Sequence, residues 1–179
     1  TIADHDVVDL TNLQRQIAHT TERIAQLKVE SARAAMHALN PDVRVQAIAH
    51  KLDAKALSAL LPDVDVVIDC CDNFATRQAV NAVCVVQRVP LVSGAAIRMD
   101  GQLAVYDARQ SDSPCYACVF PPDQVPEEVR CATMGVLAPM VGVVGTMQAL
   151  EALKLMAGLG SRLVGRMQMI DGRGLEITE

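Results

Sequence analysis

The chain has 179 residues, is 51% hydrophobic and carries a net charge of −5, with a pI near 5.3. That is one domain's length with enough apolar side chains for a core, and its acidic balance lacks the basic footprint that nucleic acid requires of a partner. The longest apolar stretch, Val136 to Met147, holds Pro139 and two glycines and falls short of the ~20 residues that cross a bilayer, so no membrane is expected.

The chain opens on a strand end, Thr1 to Asp4, with nothing before it to supply the strand's beginning, as a sequence starting inside a domain would. From Glu22 to Leu39 the apolar positions Ile24, Leu27, Ala32, Ala35, Met36 and Leu39 recur at three- and four-residue steps until Asn40-Pro41, which predicts a helix with one buried face. Val43 to Ala49 alternates as a half-buried strand, and Asp53 can cap a short helix from Ala54 to Leu61. Val64 to Cys71 reads as a buried strand, Phe74 to Gln87 as a helix and Leu91 to Ala96 as a strand. A turn at Asp100-Gly101 then leads into a strand from Gln102 to Tyr106. Gln110 to Glu128 contains four prolines and forms a long excursion, of the kind that is usually functional or tied by a metal. A long helix from about Pro139 to Ala157 and a strand from Met167 to Ile170 close the chain. Strand-length and helix-length segments alternate throughout, so the fold class is α/β with a parallel sheet.

Six cysteines, two of them adjacent at Cys70 and Cys71 in an apolar run, do not resemble a secreted disulfide lattice, and no charged-then-apolar leader opens the chain. A reduced cytoplasm is the expected location. With two Phe, two Tyr and no Trp, a bound base would have to lie mainly against aliphatic side chains.

The densest polar cluster is Asp4-His5-Asp6 followed by Leu10-Thr11-Asn12-Leu13-Gln14-Arg15-Gln16. An acid at a strand end can accept both hydroxyls of a ribose, which makes Asp4 a candidate; a capping aspartate in a polar loop is the structural alternative. Arg15 offers a planar, permanently charged fork for phosphate oxygens, and Asn12 can bond a phosphate or a neighbouring loop. Lys28, near a helix start that favours anions, can close over a polyphosphate or stand solvated. Asp72-Asn73 follows the apolar VVIDCC at the carboxyl end of a strand, where open α/β sheets bind ligands. A carboxylate there can hold Mg²⁺ through one oxygen, or the pair can cap the helix from Phe74. Cys115 and Cys118 form a CxxC in a Pro-rich loop, half of a zinc knuckle rather than a redox pair. Cys70, Cys71 and Cys84 fit core positions, whereas Cys131, beside Arg130 at a loop end, is either a candidate nucleophile or a quiet thiol.

The stretches DHDVVDLTNLQRQ, LKVESARAAMHALNP, VVIDCCDN, PLVSGAAIRMDGQLAVYD, PCYAC and MGVLAPMVGVVGTMQALEALK occur in that order over nearly the whole chain. In them the sequence resembles the ThiF/MoeB/HesA family of the E1-like, ubiquitin-activating-enzyme superfamily, and SGAAIRMDGQ inclines toward its molybdenum-cofactor branch over the thiamine one. The resemblance implies a single adenylation domain over residues 1–179: a Rossmann-like, mostly parallel sheet with helices on both faces, a smaller antiparallel region and a zinc-loop excursion. It implies ATP-dependent adenylylation of the C-terminal Gly-Gly carboxylate of a ubiquitin-like sulfur-carrier protein, giving an acyl-adenylate and pyrophosphate, by a cytoplasmic homodimer.

By the same resemblance Asp4 holds the ribose, Thr11, Asn12, Leu13, Gln14, Arg15 and Lys28 contact the nucleotide phosphates, and Asp72 binds Mg²⁺ with Asn73 beside it. Cys115 and Cys118 match the first pair of a structural Zn²⁺ site, and Cys131 matches a conserved or acceptor cysteine. The family's glycine-rich phosphate loop falls before the position of Thr1 and its second CxxC after that of Glu179, so the sequence as it stands should bind ATP and zinc poorly. Two other classes fit parts of the pattern: a non-catalytic E1-like partner subunit, and an NAD-dependent oxidoreductase, which would not need Asn12 to Arg15, Lys28 and Asp72 together.

Overall fold

Residues 1–123 and 134–179 are described by the computed structural model, and where length suggests one domain they group into two units, Thr1–Asp53 and Ala54–Glu179. In the first unit, strand β1 (Ile2–Ala3) runs parallel to strand β2 (Ala47–Ile48), with Ile2 opposite Ala47. Helix α1 spans Lys28–Leu39 and buries Val29 and Ala32, which with Val8 make this unit's core.

The helix expected from Glu22 starts six residues later. Thr21–Arg23 form a 3-10 turn, and Ala25 takes a left-handed φ of 66° that no continuing helix allows. That conformation lets Ala25 donate to the Val8 carbonyl at 2.9 Å, and Val8 donates to Gln26 at 2.8 Å. Residues 24–27 are thereby drawn into strand-like pairing with Val7 and Val8, and Ile24 and Leu27 stay exposed.

In the second unit, helix α2 (Ala54–Leu60) and a 3-10 turn at Leu61–Asp63 lead into strand β3 (Val67–Asp69). Helix α3 (Phe74–Gln87) has the predicted bounds: the Asn73 side chain accepts from the Thr76 amide at 2.9 Å at its start, and Arg88 at φ 57° ends it. Strands β4 (Leu91–Ile97), β5 (Asp100–Tyr106), β6 (Met167–Asp171) and β7 (Glu176–Thr178) complete a sheet of order β3-β4-β5-β6-β7. Only β3 and β4 are parallel in it; β4 to β7 form an antiparallel meander. The fold is α/β, with parallel strands flanked by helices, and its antiparallel region is larger than the resemblance implies.

Asp100 and Gly101 are not the turn between β4 and β5. They lie inside β5, opposite Ile97 and Ala96, and the reversal falls on Arg98 and Met99, with Arg98 at φ 52°. Gly101 serves close packing instead: a Cβ there would stand 2.7 Å from Val144 and 2.9 Å from the Met140 sulfur. Both belong to the long helix α5 (Ala138–Met156), numbered after the short turn of helix α4 (Tyr116–Val119).

Side-chain alternation along β4 assigns the two faces of the sheet. Val92 packs with Leu103, Val105, Ala152 of α5 and Leu163, while Leu91 and Ser93 point to the α3 side. Helices therefore cover both faces of this sheet. No helix of the described residues is long and apolar enough to cross a membrane.

Candidate functional site

In the first unit the chain leaves the carboxyl end of β1 at Asp4, whose amide is still held by Ile48 of β2 at 3.1 Å. The Lys28 amide donates to the Asp6 carbonyl at 2.9 Å, which brings the start of α1 to this exit. The Lys28 ammonium lies 2.9 Å from an Asp6 carboxylate oxygen and 3.9 Å from one of Asp4, with only 14% of its side chain exposed. Two candidates 24 positions apart, Asp4 and Lys28, are thus neighbours, linked by an acid that the sequence reading left without a role. The hydrogen bond from Lys28 holds the Asp6 carboxyl below the usual carboxylate value. Asp4, His5 and Asp6 also present ligand atoms within 4.8 Å of one another, and the Lys28 ammonium already occupies an Asp6 oxygen and offsets one of the two acids' charges.

The following loop is organised by its own side chains. Asp9 accepts from the Thr11 amide at 2.8 Å and the Thr11 hydroxyl at 2.6 Å, while the Asp9 amide donates to the Asn12 side chain at 3.1 Å. This capping box closes the 3-10 turn Leu10–Asn12, so the Asn12 oxygen serves the loop rather than standing open to a ligand. The Arg15 guanidinium reaches back to the Thr11 carbonyl at 3.1 Å, Leu13 is half-buried and Gln14 exposed. Beneath the loop, His19 meets the fully buried Ser31 hydroxyl at 2.9 Å, and Arg23 donates to the Ser31 carbonyl at 2.9 Å. Burial, then the positive charge of Lys28, pushes the His19 imidazole below its ordinary value. Nothing in the spacing of His19, Arg23 and Ser31 announces this tie between loop and helix.

In the second unit Asn73 caps α3, which leaves Asp72 exposed at the carboxyl end of β3 with no side-chain partner among the described residues. One carboxylate open to water and phosphate is the donor set Mg²⁺ takes, so the position fits that ion. Behind Asp72 lies a buried polar network. Arg77 of α3 donates to the Asp69 carboxylate at 2.9 Å, the Ser93 hydroxyl at 3.0 Å and the Gly94 carbonyl at 2.8 Å, and also to the Cys71 carbonyl. Asp69 accepts from the Cys71 amide at 2.9 Å and from the Ser93 hydroxyl at 3.1 Å. From the opposite face, Gln148 of α5 donates to the Asp69 carbonyl at 2.8 Å and the Val92 carbonyl at 3.2 Å. The sequence signal was available: a lone aspartate in an apolar strand and a lone arginine on an apolar helix face must find each other or leave a buried charge unpaired. Cys84 is a buried thiol and Cys71 a half-buried one, whereas Cys70 is exposed and so does not take the core position expected of it; burial, then the Asp69 charge, pushes the Cys71 and Cys84 thiols up, Cys84 to about 12.

The CxxC is docked on α3. Tyr116 donates its amide to Asn81 at 2.9 Å, Asn81 donates to the Cys115 sulfur at 3.6 Å, and Gln78 donates to the Phe120 carbonyl at 2.6 Å. Tyr116 packs on Phe74, Tyr106 and Phe120 with ring centroids 6.1, 6.0 and 4.8 Å away, so both tyrosines and both phenylalanines of the chain are spent here. The Cys115 and Cys118 sulfurs are 3.6 Å apart. Two thiolates on one tetrahedral zinc stand about 3.8 Å apart at Zn–S distances of about 2.3 Å, so the pair fits as half of a zinc site. Burial opposes ionisation of Cys115, but hydrogen bonds from Asn81 and from the Cys118 and Ala117 amides outweigh it and lower its pKa. Asp72 does not join these sulfurs in any group of three metal-ligating side chains among the described residues. Cys131 lies outside the described residues.

The fold belongs to a class already seen in solved structures. The crystal structure of Escherichia coli MccB with ATP matches 98% of this chain and 54% of that one with a TM-score of 0.80 at 20% identity, so the two share an α/β fold. The chain is a member of the ThiF family, whose profile matches residues 1–179. Molybdopterin-synthase adenylyltransferase of E. coli (strain K12) is 42% identical over 182 residues, which cover all of this chain and 71% of that protein. Adenylyltransferase and sulfurtransferase MOCS3 of Drosophila virilis is 44% identical over 172 residues, 96% of this chain and 38% of that protein. The chain thus spans about half of the MccB chain and less than half of MOCS3. Family membership sets the dehydrogenase alternative aside.

Proposed function

We propose that this chain carries the adenylylating site of an enzyme that activates the C-terminal Gly-Gly carboxylate of a ubiquitin-like sulfur-carrier protein with ATP. The observation that carries the reading is the pairing of Lys28 with Asp4 and Asp6 at the carboxyl end of β1, in a chain 42% identical to a molybdopterin-synthase adenylyltransferase. The carrier carboxylate attacks the α-phosphorus of ATP; the new carboxyl oxygen–phosphorus bond forms as the bond to pyrophosphate breaks. Asp4 accepts the ribose hydroxyls, and Thr11, Asn12, Leu13 and Gln14 shape the loop along the phosphates. Arg15 and Lys28 neutralise the charge that develops on them. Catalysis then consists of positioning and charge stabilisation rather than covalent help.

Asp72, with Asn73 beside it, is the residue that would hold Mg²⁺, which supplies further neutralisation of the phosphates when bound. Cys115 and Cys118 would supply half of a structural Zn²⁺ site, and Cys131 is retained as the candidate acceptor cysteine. A homodimer in the cytoplasm completes the reading. Its support is α5, where Met140 and Val144 are core while Val143, Leu150, Leu153 and Met156 are exposed along another face.

The test is carrier-dependent ATP–pyrophosphate exchange by the full-length protein with small carriers ending in Gly-Gly. Exchange that requires a carrier, and that falls by about 10²-fold or more in Lys28→Ala and Asp72→Ala, is the expected result. Near-normal rates in those variants would remove the two residues from the site. No exchange with any carrier would instead favour the non-catalytic partner subunit.

A further inference from the structure

We infer that Arg77 is a positioning residue for the Asp72 carboxylate, acting through the backbone of the loop that leaves β3; the inference rests on the proposed role of Asp72 in holding the metal. Arg77 is 7% exposed and its guanidinium takes four acceptors from three segments: Asp69 at the end of β3, the Cys71 carbonyl in the exit loop, and Ser93 and the Gly94 carbonyl on β4. The β3–β4 ladder ends at Asp69 opposite Ser93. Past that point no ladder pairing fixes the chain, and the arginine takes over by bonding Cys71 and Gly94 at once.

Both backbone polar groups of Cys71 are therefore held, its amide by Asp69 and its carbonyl by Arg77. On the other side of Asp72, Asn73 is fixed by capping α3. Asp72 is bracketed on both sides while its own side chain projects into solvent. A buried ion pair often stabilises a fold no better than apolar residues of the same volume, so stability alone gives little reason for an arginine here. What a guanidinium adds is a rigid planar fork that bonds several acceptors in fixed geometry, which the compact, flexible lysine ammonium does not reproduce.

Arg77→Lys in the full-length protein separates the roles, because it keeps a cation for Asp69 and loses the fork to Cys71 and Gly94. Two readouts are measured: Mn²⁺ binding with a non-hydrolysable ATP analogue, followed by electron paramagnetic resonance, and the Mg²⁺ dependence of carrier-dependent pyrophosphate exchange. Arg77→Lys should weaken Mn²⁺ binding and raise half-saturating Mg²⁺ about tenfold, the low end of what losing a ligand's supporting hydrogen bond does to metal affinity. The maximal rate should recover at saturating Mg²⁺. Val105→Ala, which opens the core at a fully buried residue on β5, two strands from β3 and without a bond to Arg77, serves as the destabilised control and should leave metal dependence within about twofold. Unchanged metal dependence in Arg77→Lys, in a protein where Asp72→Asn does weaken the metal, overturns the inference and leaves the functional reading standing. An equal shift in Val105→Ala also overturns it, since loss of stability would then explain the effect. If Asp72→Asn itself leaves Mn²⁺ binding and exchange unchanged, the metal role of Asp72 fails and the role of Arg77 with it.

Discussion

Gly94 and Gln148 should behave as one unit. A Cβ built on Gly94 would stand 2.3 Å from the Gln148 carboxamide carbon, 2.5 Å from its oxygen and 2.8 Å from its nitrogen. In Gly94→Ala the amide must retreat by roughly 1 Å to reach ordinary van der Waals contact. That displacement breaks the bonds to the Asp69 and Val92 carbonyls, now 2.8 and 3.2 Å long. Gln148 is 3% exposed, so it has no solvent to move into. Two lost hydrogen bonds at about 0.5–1.5 kcal/mol each, with about 1–3 kcal/mol of overpacking, put the destabilisation at about 2–6 kcal/mol. Gln148→Ala alone should cost about 2–3 kcal/mol, because it leaves buried carbonyls without their donor. The double variant should cost no more than Gln148→Ala, since the added methyl then enters space the amide has vacated; the coupling energy is about 2 kcal/mol or more. Urea unfolding followed by far-ultraviolet circular dichroism gives each value. Additive effects, or a Gly94→Ala cost below about 0.5 kcal/mol, would refute the close approach of β4 to α5 as the reason for glycine at this position.

Asp107 sets an acid-side slope. Hydrogen bonds from Arg109, at 2.8 Å to each carboxylate oxygen, hold its carboxyl below the ordinary value of 3.8. Its contribution is therefore complete above about pH 4 and is lost as pH falls through the lower, folded value. Asp107→Asn should be less stable than wild type at pH 6, and the gap should close as the pH falls below about 4 in a series of urea titrations; a constant gap would refute the assignment. In the full-length protein, where Cys115 and Cys118 would supply half of a zinc site, Asn81→Ala, which loses the donor to the Cys115 sulfur, should release zinc about tenfold more readily to a chromogenic chelator, and replacement of both cysteines by serine should abolish binding.

What was legible in the sequence was local. Asn73 followed by an apolar run gives α3 its start because the cap is the residue next to the helix and bonds the Thr76 amide within its first turn. Asp9 and Asn12 are likewise a local box, and their spacing could have shown that the Asn12 side chain is occupied. The start of α1 was not legible, because the backbone of Ala25 is set by a hydrogen bond to Val8, seventeen positions away. Strand β7 carries no pattern, being exposed at all three residues, and exists through its pairing with β6. The candidates drawn from the polar segments, Asp4 with Lys28 and Thr11 with Arg15, do meet within the first unit. The network behind Asp72 escaped notice because Asp69, Arg77, Ser93 and Gln148 lie on four different elements, and only the sheet brings them together.

The ring cluster around Tyr116 has a practical corollary for anyone following this protein by light. With no tryptophan in the chain, near-ultraviolet absorbance and emission come from Tyr106 and Tyr116, which stack edge to face within 6.0 Å. Both chromophores sit at the corner where the cysteine pair docks on α3, so the optical signal is a local gauge rather than a global one. Loosening of that corner would register at once, while a change confined to residues 1–53, which hold no tyrosine or phenylalanine, would pass unseen.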